Sequence, residues 1–450
     1  MAASDMTRGS VSRHLVSYAI PLVLGNLFQL MYNVVDSVIA GRFIGKEALA
    51  AAGTANPVMS IVILGISGLC VGAGVLMSEF FGAGEHERLR GEMATTLLFG
   101  LYFSLAVSVL GFAASEMILR LIRVPAELLP MATSYLRIIF LGTPFTYCYN
   151  ALSSSLKSIG DSATPLRFLM FSSVINAVLD IVFIGLLGFG IRFSAASTVA
   201  AQAVSAVLAF RHVYLHVPIL QVGRNEWKMD RGLLGKTLCF GSVTALQQAV
   251  QPVAKLLIQG AVNPLGVEAM ATFNAAERVD DFALLPERSL GVAITTFVAQ
   301  NRGAQKRERV QEGFRKGMLL EIGYGLLICA VLLIANEPLM RLFASGSDAD
   351  ALVHHGGRYL RTMAMFYVLP ALSNGVQGFF RGMGNASMTL RCTILQTTLR
   401  VLCTYLLTPV IGISGIAIGC VIGWTAMMLY EIPMSIRALK QWRQEELQKK

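Results

Sequence analysis

From Ala48 to Ser78 the chain runs without one charged residue. An α-helix rises about 1.5 Å per residue, so ~20 apolar residues cross the ~30 Å hydrocarbon core of a bilayer. Comparable apolar runs recur almost to the C-terminus, and they do not alternate with period two, which argues against a membrane β-barrel. In lipid every backbone N–H and C=O must be satisfied internally, and a helix does so within one segment. The sequence therefore predicts an all-α membrane protein. Composition agrees: 54% of the 450 residues are hydrophobic and 14% charged, against about 25% charged in soluble domains. Twelve transmembrane helices are expected, near 14–40, 53–81, 94–115, 131–156, 166–188, 193–211, 236–260, 269–299, 317–337, 357–380, 390–410 and 414–436.

The net charge of +10 raises the question of nucleic acid. Its placement argues otherwise. The connection after the sixth span holds Arg224, Lys228, Arg231 and Lys236. The one after the eighth holds Arg302, Lys306, Arg307, Arg309, Arg315 and Lys316, and the tail holds Arg437, Lys440, Arg443, Lys449 and Lys450. Even-numbered connections and the two termini carry about three times the Lys and Arg of the odd ones, so the positive-inside rule puts both termini in the cytoplasm. The basic charge reads as a topology signal of a multi-pass protein of the cell's inner (plasma) membrane, with anionic lipids as a side partner and no nucleic acid. The seven cysteines lie in or beside apolar spans with no CxxC pair, and read as small packing residues.

The chain also repeats itself. GKEALA from Gly45 sets beside GVEAMA from Gly266, and FGAG from Phe81 beside RGAQ from Arg302. YLR recurs at Tyr135 and Tyr359, and GDSATPLR from Gly160 sets beside GNASMTLR from Gly384. The offset stays near 221 to 224 throughout. Two six-helix lobes are expected, 1–213 and 234–450, joined by a cytoplasmic linker at 214–233. An even number of spans per lobe keeps both in one orientation, related by a pseudo-twofold axis along the membrane normal, with a central cleft suited to alternating access.

Polar residues inside the spans are costly, and must face protein or a water-filled cavity. In the first span Asn26, Gln29, Asn33 and Asp36 fall within about 80° of one helix face. The seventh span carries Thr244, Gln248, Gln251 and Lys255, with Gln248 aligned to Gln29 and Lys255 to Asp36. In the fifth span Asn176 and Asp180 share a face at i, i+4. Their repeat partners are Arg400 and Thr404, so the lobes differ chemically there. If the first, fifth and sixth helices meet, two carboxylates, the Asn176 amide and the Thr198 hydroxyl converge. Such oxygens suit a hard monovalent cation such as Na⁺. Alternatively, two close carboxylates share a proton, because both ionise only at great cost in low dielectric. The eighth span holds Glu277, Arg278, Asp280, Asp281, Glu287 and Arg288. These read either as an acidic wall for cationic substrates or protons, or as a structural network that neutralises Lys255, Arg278, Arg288 and Arg400.

At these residues the chain resembles the multidrug and toxic compound extrusion (MATE) transporters, bacterial type, over nearly its whole length. The first-helix pattern stands as Pro21 followed by Tyr32-Asn-Val-Val-Asp36, the fifth as Asn176-Ala-Val-Leu-Asp180, and the sixth-helix hydroxyl as Thr198. The resemblance implies that Asp36, Asn176, Asp180 and Thr198 form a site for Na⁺ or H⁺ with Tyr32 beside it. It implies a secondary antiporter that exports organic, often cationic compounds against that ion. The chain departs from a branch of the family that relies on a seventh-span acid: here that span offers Gln247, Gln248, Gln251 and Lys255. A substrate cleft is expected from Gln29, Tyr32, Asn33, Gln248, Gln251, Lys255, Glu277, Asp281 and Arg400, with a hinge at Pro21. A flippase for a lipid-linked sugar, from the same wider superfamily, is the alternative. The basic residues Lys255, Arg381, Arg391 and Arg400 keep it open, while the count of twelve spans weighs against it.

No P-loop, HExxH or GxSxG is present, so neither ATP-driven transport nor common hydrolytic chemistry has support, and the chain reads as no enzyme. No cofactor is implied besides the coupling ion, and a monomer is expected. The glycine run from Gly65 to Gly74 lacks the Gly-Lys-Ser of a phosphate loop and reads as close helix packing.

Overall fold

The computed structural model describes the backbone of residues 4–39, 43, 45–342 and 349–447, and their side chains except at 33–39, 46–49, 349, 351 and 441–447. The described residues form helices and no strand. In the first half these are α1 (Val11–Ile39), α2 (Lys46–Ala83), α3 (His86–Leu121), α4 (Leu129–Ser158), α5 (Ala163–Asp180) and α6 (Ile191–His216). In the second half they are α7 (Arg231–Val262), α8 (Val267–Gly303), α9 (Arg307–Arg341), α10 (Ala349–Ala364), α11 (Val368–Gly382), α12 (Ala386–Ile411) and α13 (Ile413–Leu447). Among the described residues, nine helical stretches are long and apolar enough to cross a membrane by themselves.

The expected tenth span is two helices, α10 and α11. Pro370 explains the break. It has no N–H for the Phe366 carbonyl, and its ring crowds that carbonyl, yet it is tolerated in the first turn of a new helix. The chain accordingly turns at 365–367 and restarts at Val368. Pro21 lies inside α1, which runs on without interruption.

Burial is that of a protein solvated by lipid. Large apolar side chains point outward, with Leu121 82% and Ile334 83% exposed, while serines and threonines such as Ser104, Ser115, Thr143 and Thr404 are buried. Small polar residues let helices approach closely where lipid supplies no hydrophobic drive for association. Gly100 and Gly111 of α3 lie under the rings of Tyr147 and Phe140 of α4, and the Tyr147 hydroxyl donates to the Thr96 carbonyl at 3.1 Å.

Contacts divide the chain into two compact units. Unit 1 comprises Met1–Asp5 and Pro21–Ala245, and unit 2 comprises Met6–Ile20 and Leu246–Lys450. Each has the same internal pairing. In unit 1, α4 packs on α2, α3 and α6, and α5 packs on α6. In unit 2, α11 packs on α8, α9 and α13, and α12 packs on α13. The packing divides within α7, not at the 214–233 linker, because the linker is built into unit 1. Val217, Leu220 and Val222 join a core with Met77, Leu89, Leu156 and Ala209. Arg90 grips Glu226 through Nε at 3.0 and 2.9 Å, and that guanidinium holds the Glu226 carboxyl below the usual carboxylate range. Within the glycine run, Gly68, Gly72 and Gly74 serve close packing, while Gly65 faces open space: a Cβ on Gly72 would lie 2.8 Å from the Gly241 nitrogen of α7.

Candidate functional site

In unit 1, Asn176 and Asp180 project from the last turns of α5 and are each 1% exposed. A π-helical turn, Ile181–Leu186, follows Asp180 directly, closed by the Leu187 N–H donating to the Val182 carbonyl at 3.0 Å. Single π turns of this kind cluster at functional sites. On α6, Ser194, Ser197 and Thr198 fall at i, i+3 and i+4 and share one face. The hydroxyls of Ser197 and Thr198 each reach the Ser194 carbonyl at 2.9 Å. Asn176 donates through Nδ2 to Ser197 Oγ at 3.3 Å and to Thr198 Oγ1 at 3.4 Å. Asp180 Oδ1 accepts a short hydrogen bond from the Ser197 hydroxyl. From α1, the Tyr32 hydroxyl donates to Asn176 Oδ1 at 2.8 Å.

The structure thus brings Tyr32, Asn176, Asp180 and Thr198 into one cluster of oxygens and one amide, with Asn176 and Asp180 buried and Tyr32 and Thr198 partly so. Asn33 and Asp36 ride on α1, but their side chains lie outside the described residues. Gln29 is exposed on the same helix. Ser197 was missed in the sequence. The signal was its place beside Thr198 and three residues after Ser194, which puts it on the same face of α6 as those two hydroxyls. The donors are carboxylate, amide and hydroxyl oxygens, the ligand class of hard cations. No group of three or more His, Cys, Asp or Glu suited to a transition metal occurs among the described residues.

Unit 2 is organised by ion pairs. Lys255 Nζ lies 3.2 Å from Asp281 Oδ1 and 3.6 Å from Glu277 Oε2. Arg400, 9% exposed, approaches Glu277 Oε1 at 4.0 Å. Tyr367 donates a short hydrogen bond to the buried Asp280. Gln251 donates to Gln396 Oε1 at 3.3 Å. Arg278 and Arg288 are exposed. Glu287 stands apart from the pairs: its carboxylate accepts from Asn374 Nδ2 at 3.0 Å.

A second polar layer in unit 2 was not singled out in the sequence. Glu431 Oε1 accepts from Ser373 Oγ at 3.1 Å and from Gln377 Nε2 at 3.0 Å. Gln377 Oε1 accepts from Gln247 Nε2 at 2.9 Å, and Gln247 Oε1 accepts from Thr389 Oγ1 at 2.9 Å. The chain of bonds ties α13, α11, α7 and α12 together. Glu321 of α9 is fully buried, and neither carboxyl oxygen has a hydrogen-bond partner among the described residues. The signal for Glu321 and Glu431 was the one that singles out Asp180: a lone acid in an apolar span.

Two segments of the chain, residues 21–182 and 244–406, match the family model MatE, one segment per half of the repeat. The chain is 30% identical to the probable multidrug resistance protein YpnP of Bacillus subtilis, over 93% of both proteins. It is 28% identical to the probable multidrug resistance protein YoeA of the same organism, over 79% of this chain and 78% of that one. Among solved structures, a MATE protein in complex with MaL6 superposes with a TM-score of 0.91 at 22% identity, covering 99% of this chain and all of the other.

Proposed function

The chain belongs to the MatE family of multi-pass membrane transporters, and we propose that it is a secondary antiporter that couples inward movement of Na⁺ or H⁺ to outward movement of small organic compounds. The observation that carries the reading is the Tyr32–Asn176–Asp180–Ser197–Thr198 cluster. A carboxylate this deep in a membrane protein costs roughly 2.5–3.5 kcal/mol on insertion scales. A bound cation offsets that cost, whether a metal ion among the oxygens or a proton on the carboxyl. Asp36, on the same helix as Tyr32, is the proposed second carboxylate.

The cluster gives the ion a way to act on the fold. Asn176 is held from two sides, by α1 through Tyr32 and by α6 through Ser197 and Thr198. A cation at Asp180 competes for the Ser197 oxygen and changes which partners Asn176 keeps. That shifts the position of α1, and Pro21 supplies a point of reduced bending cost, because the Ser17 carbonyl lacks its helical donor. An ion shifts a conformational equilibrium only by its difference in affinity for the two states.

Gln29, Tyr32 and Asn33 in unit 1, with Gln248, Gln251, Lys255, Glu277, Asp281 and Arg400 in unit 2, are the proposed substrate contacts. The relatives named as probable multidrug resistance proteins support export of small molecules, and an amphipathic, often cationic substrate is the class proposed here. We place both termini in the cytoplasm, on the charge bias of the connections, and propose a monomer in the plasma membrane. Purified protein in liposomes tests the reading. Efflux of an organic cation is measured under a Na⁺ gradient, a proton gradient and neither. Acceleration by one of the two ions supports antiport, and equal rates in all three conditions overturn it.

A further inference from the structure

We propose that the α9–α10 end of unit 2 carries a binding site for the phosphate of an anionic phospholipid headgroup. A cavity of about 480 Å³ lies there, lined by Glu337, His354, Arg358, Arg361, Thr362 and Met365. That volume falls within the ~300–1,000 Å³ of small-ligand pockets. His354, Arg358 and Arg361 are spaced i, i+4, i+7 and form one stripe along α10. Among the described lining residues the one acid, Glu337, is taken up by Arg361 at 3.8 Å, and Arg361 also donates to Asn336 Oδ1 at 3.4 Å. The described lining therefore holds Arg358 in excess of its acid.

The internal repeat separates structural charge from charge that the fold does not explain. Arg361 corresponds to Arg137 at the 224-residue offset. Arg137 likewise reaches back to the preceding helix, donating to the Phe112 carbonyl at 3.3 Å and lying 5.3 Å from the Phe112 ring centre. An arginine at this position fastens two helices in both units. Arg358 and His354 correspond to Ser134 and Pro130, so unit 1 builds the same helix without them. Their place is also unusual for a membrane protein. α9 starts in the basic α8–α9 connection and runs 35 residues, about 50 Å, so the cavity lies at the membrane face opposite that connection. Basic residues are sparse on that face.

The surroundings favour a lipid over a soluble anion. Met365, in the cavity wall, is 60% exposed, and Ile334 and Leu342 of the adjoining helix end are 83% and 76% exposed. Apolar surface beside a basic pocket suits acyl chains below a phosphate, and a guanidinium fork matches phosphate oxygens in bidentate geometry. Free phosphate shares the second feature and lacks the first.

Melting temperature in detergent micelles tests the site. Phosphatidylglycerol is expected to raise Tm of the wild type by about 3 °C relative to phosphatidylcholine. The double variant His354→Gln, Arg358→Gln is expected to lose that rise, and Arg358→Lys to keep about half of it. Both positions are exposed, so folding is retained. Equal rises in the wild type and the double variant overturn the site. A rise of the same size with inorganic phosphate alone, lost in the double variant, overturns the lipid assignment in favour of a soluble phosphate.

Discussion

The hydroxyl of Tyr32 donates to the side-chain oxygen of Asn176 at 2.8 Å and so ties α1 to α5. In the proposed mechanism, that bond carries the state of the Asp180 carboxylate to the first helix. Tyr32→Phe removes the donor and leaves a buried amide oxygen without it, at a cost of about 1–3 kcal/mol. Gradient-driven efflux is expected to fall about tenfold, with the folded protein retained at normal yield. Initial rates in proteoliposomes check this, and an unchanged rate contradicts a role for the bond in coupling.

Pro21 tests the moving part rather than the ion site. α1 is continuous through Pro21, so an alanine there supplies the missing N–H and stiffens the helix without rebuilding it. Pro21→Ala is expected to slow turnover at least fivefold while changing equilibrium substrate binding less than twofold. Turnover equal to the wild type removes the hinge from the account.

The ion pairs of α8 separate two readings of Glu277. Arg400 is nearly buried and faces Glu277, whereas Lys255 and Asp281 are about two-fifths exposed. Removing one partner of a buried pair leaves an uncompensated charge, while exposed pairs contribute about 0–1 kcal/mol. Glu277→Gln is therefore expected to lower Tm by several degrees and to impair cationic and neutral substrates alike. Asp281→Asn is expected to leave Tm within about 2 °C. Efflux of a matched cationic and neutral pair, measured alongside Tm, decides. Unchanged stability with selective loss of cation export makes Glu277 a substrate contact instead.

Glu321 departs from ordinary burial. Neither of its oxygens has a partner among the described residues, and burying an unpartnered polar group costs about 1–3 kcal/mol in proteins. Glu321→Met, close in shape and apolar, is expected to raise Tm by about 2–5 °C. A fall in Tm contradicts the orphan assignment and shows that Glu321 has a partner in the working protein.

The helical membrane fold, the repeat and the unit 1 cluster were legible in the sequence because each leaves a one-dimensional trace. Apolar runs mark spans, a constant offset from Gly45–Gly266 to Gly160–Gly384 marks duplication, and i, i+4 spacing puts Asn176 and Asp180 on one face. The α10–α11 break is written locally, in Pro370, but many prolines in this chain sit inside unbroken helices, so its effect depends on packing. The hydrogen bond from Ser197 to Asp180 was less legible, since serines are common in tightly packed membrane helices and only the facing helix distinguishes this one. The partition of α7 between the units was not legible at all. It follows from the long-range approach of Gly72 to Gly241, which no local pattern reports.

Asp180 is proposed to couple ion movement to export, and Asp180→Asn probes that coupling. The substitution keeps the shape and removes the charge. In proteoliposomes, two rates are compared in this variant: efflux driven by the coupling-ion gradient, and exchange of labelled for unlabelled substrate with no gradient. Gradient-driven efflux is expected to fall at least a hundredfold, while exchange persists within about threefold of the wild type. Gradient-driven efflux at the wild-type rate would contradict that coupling.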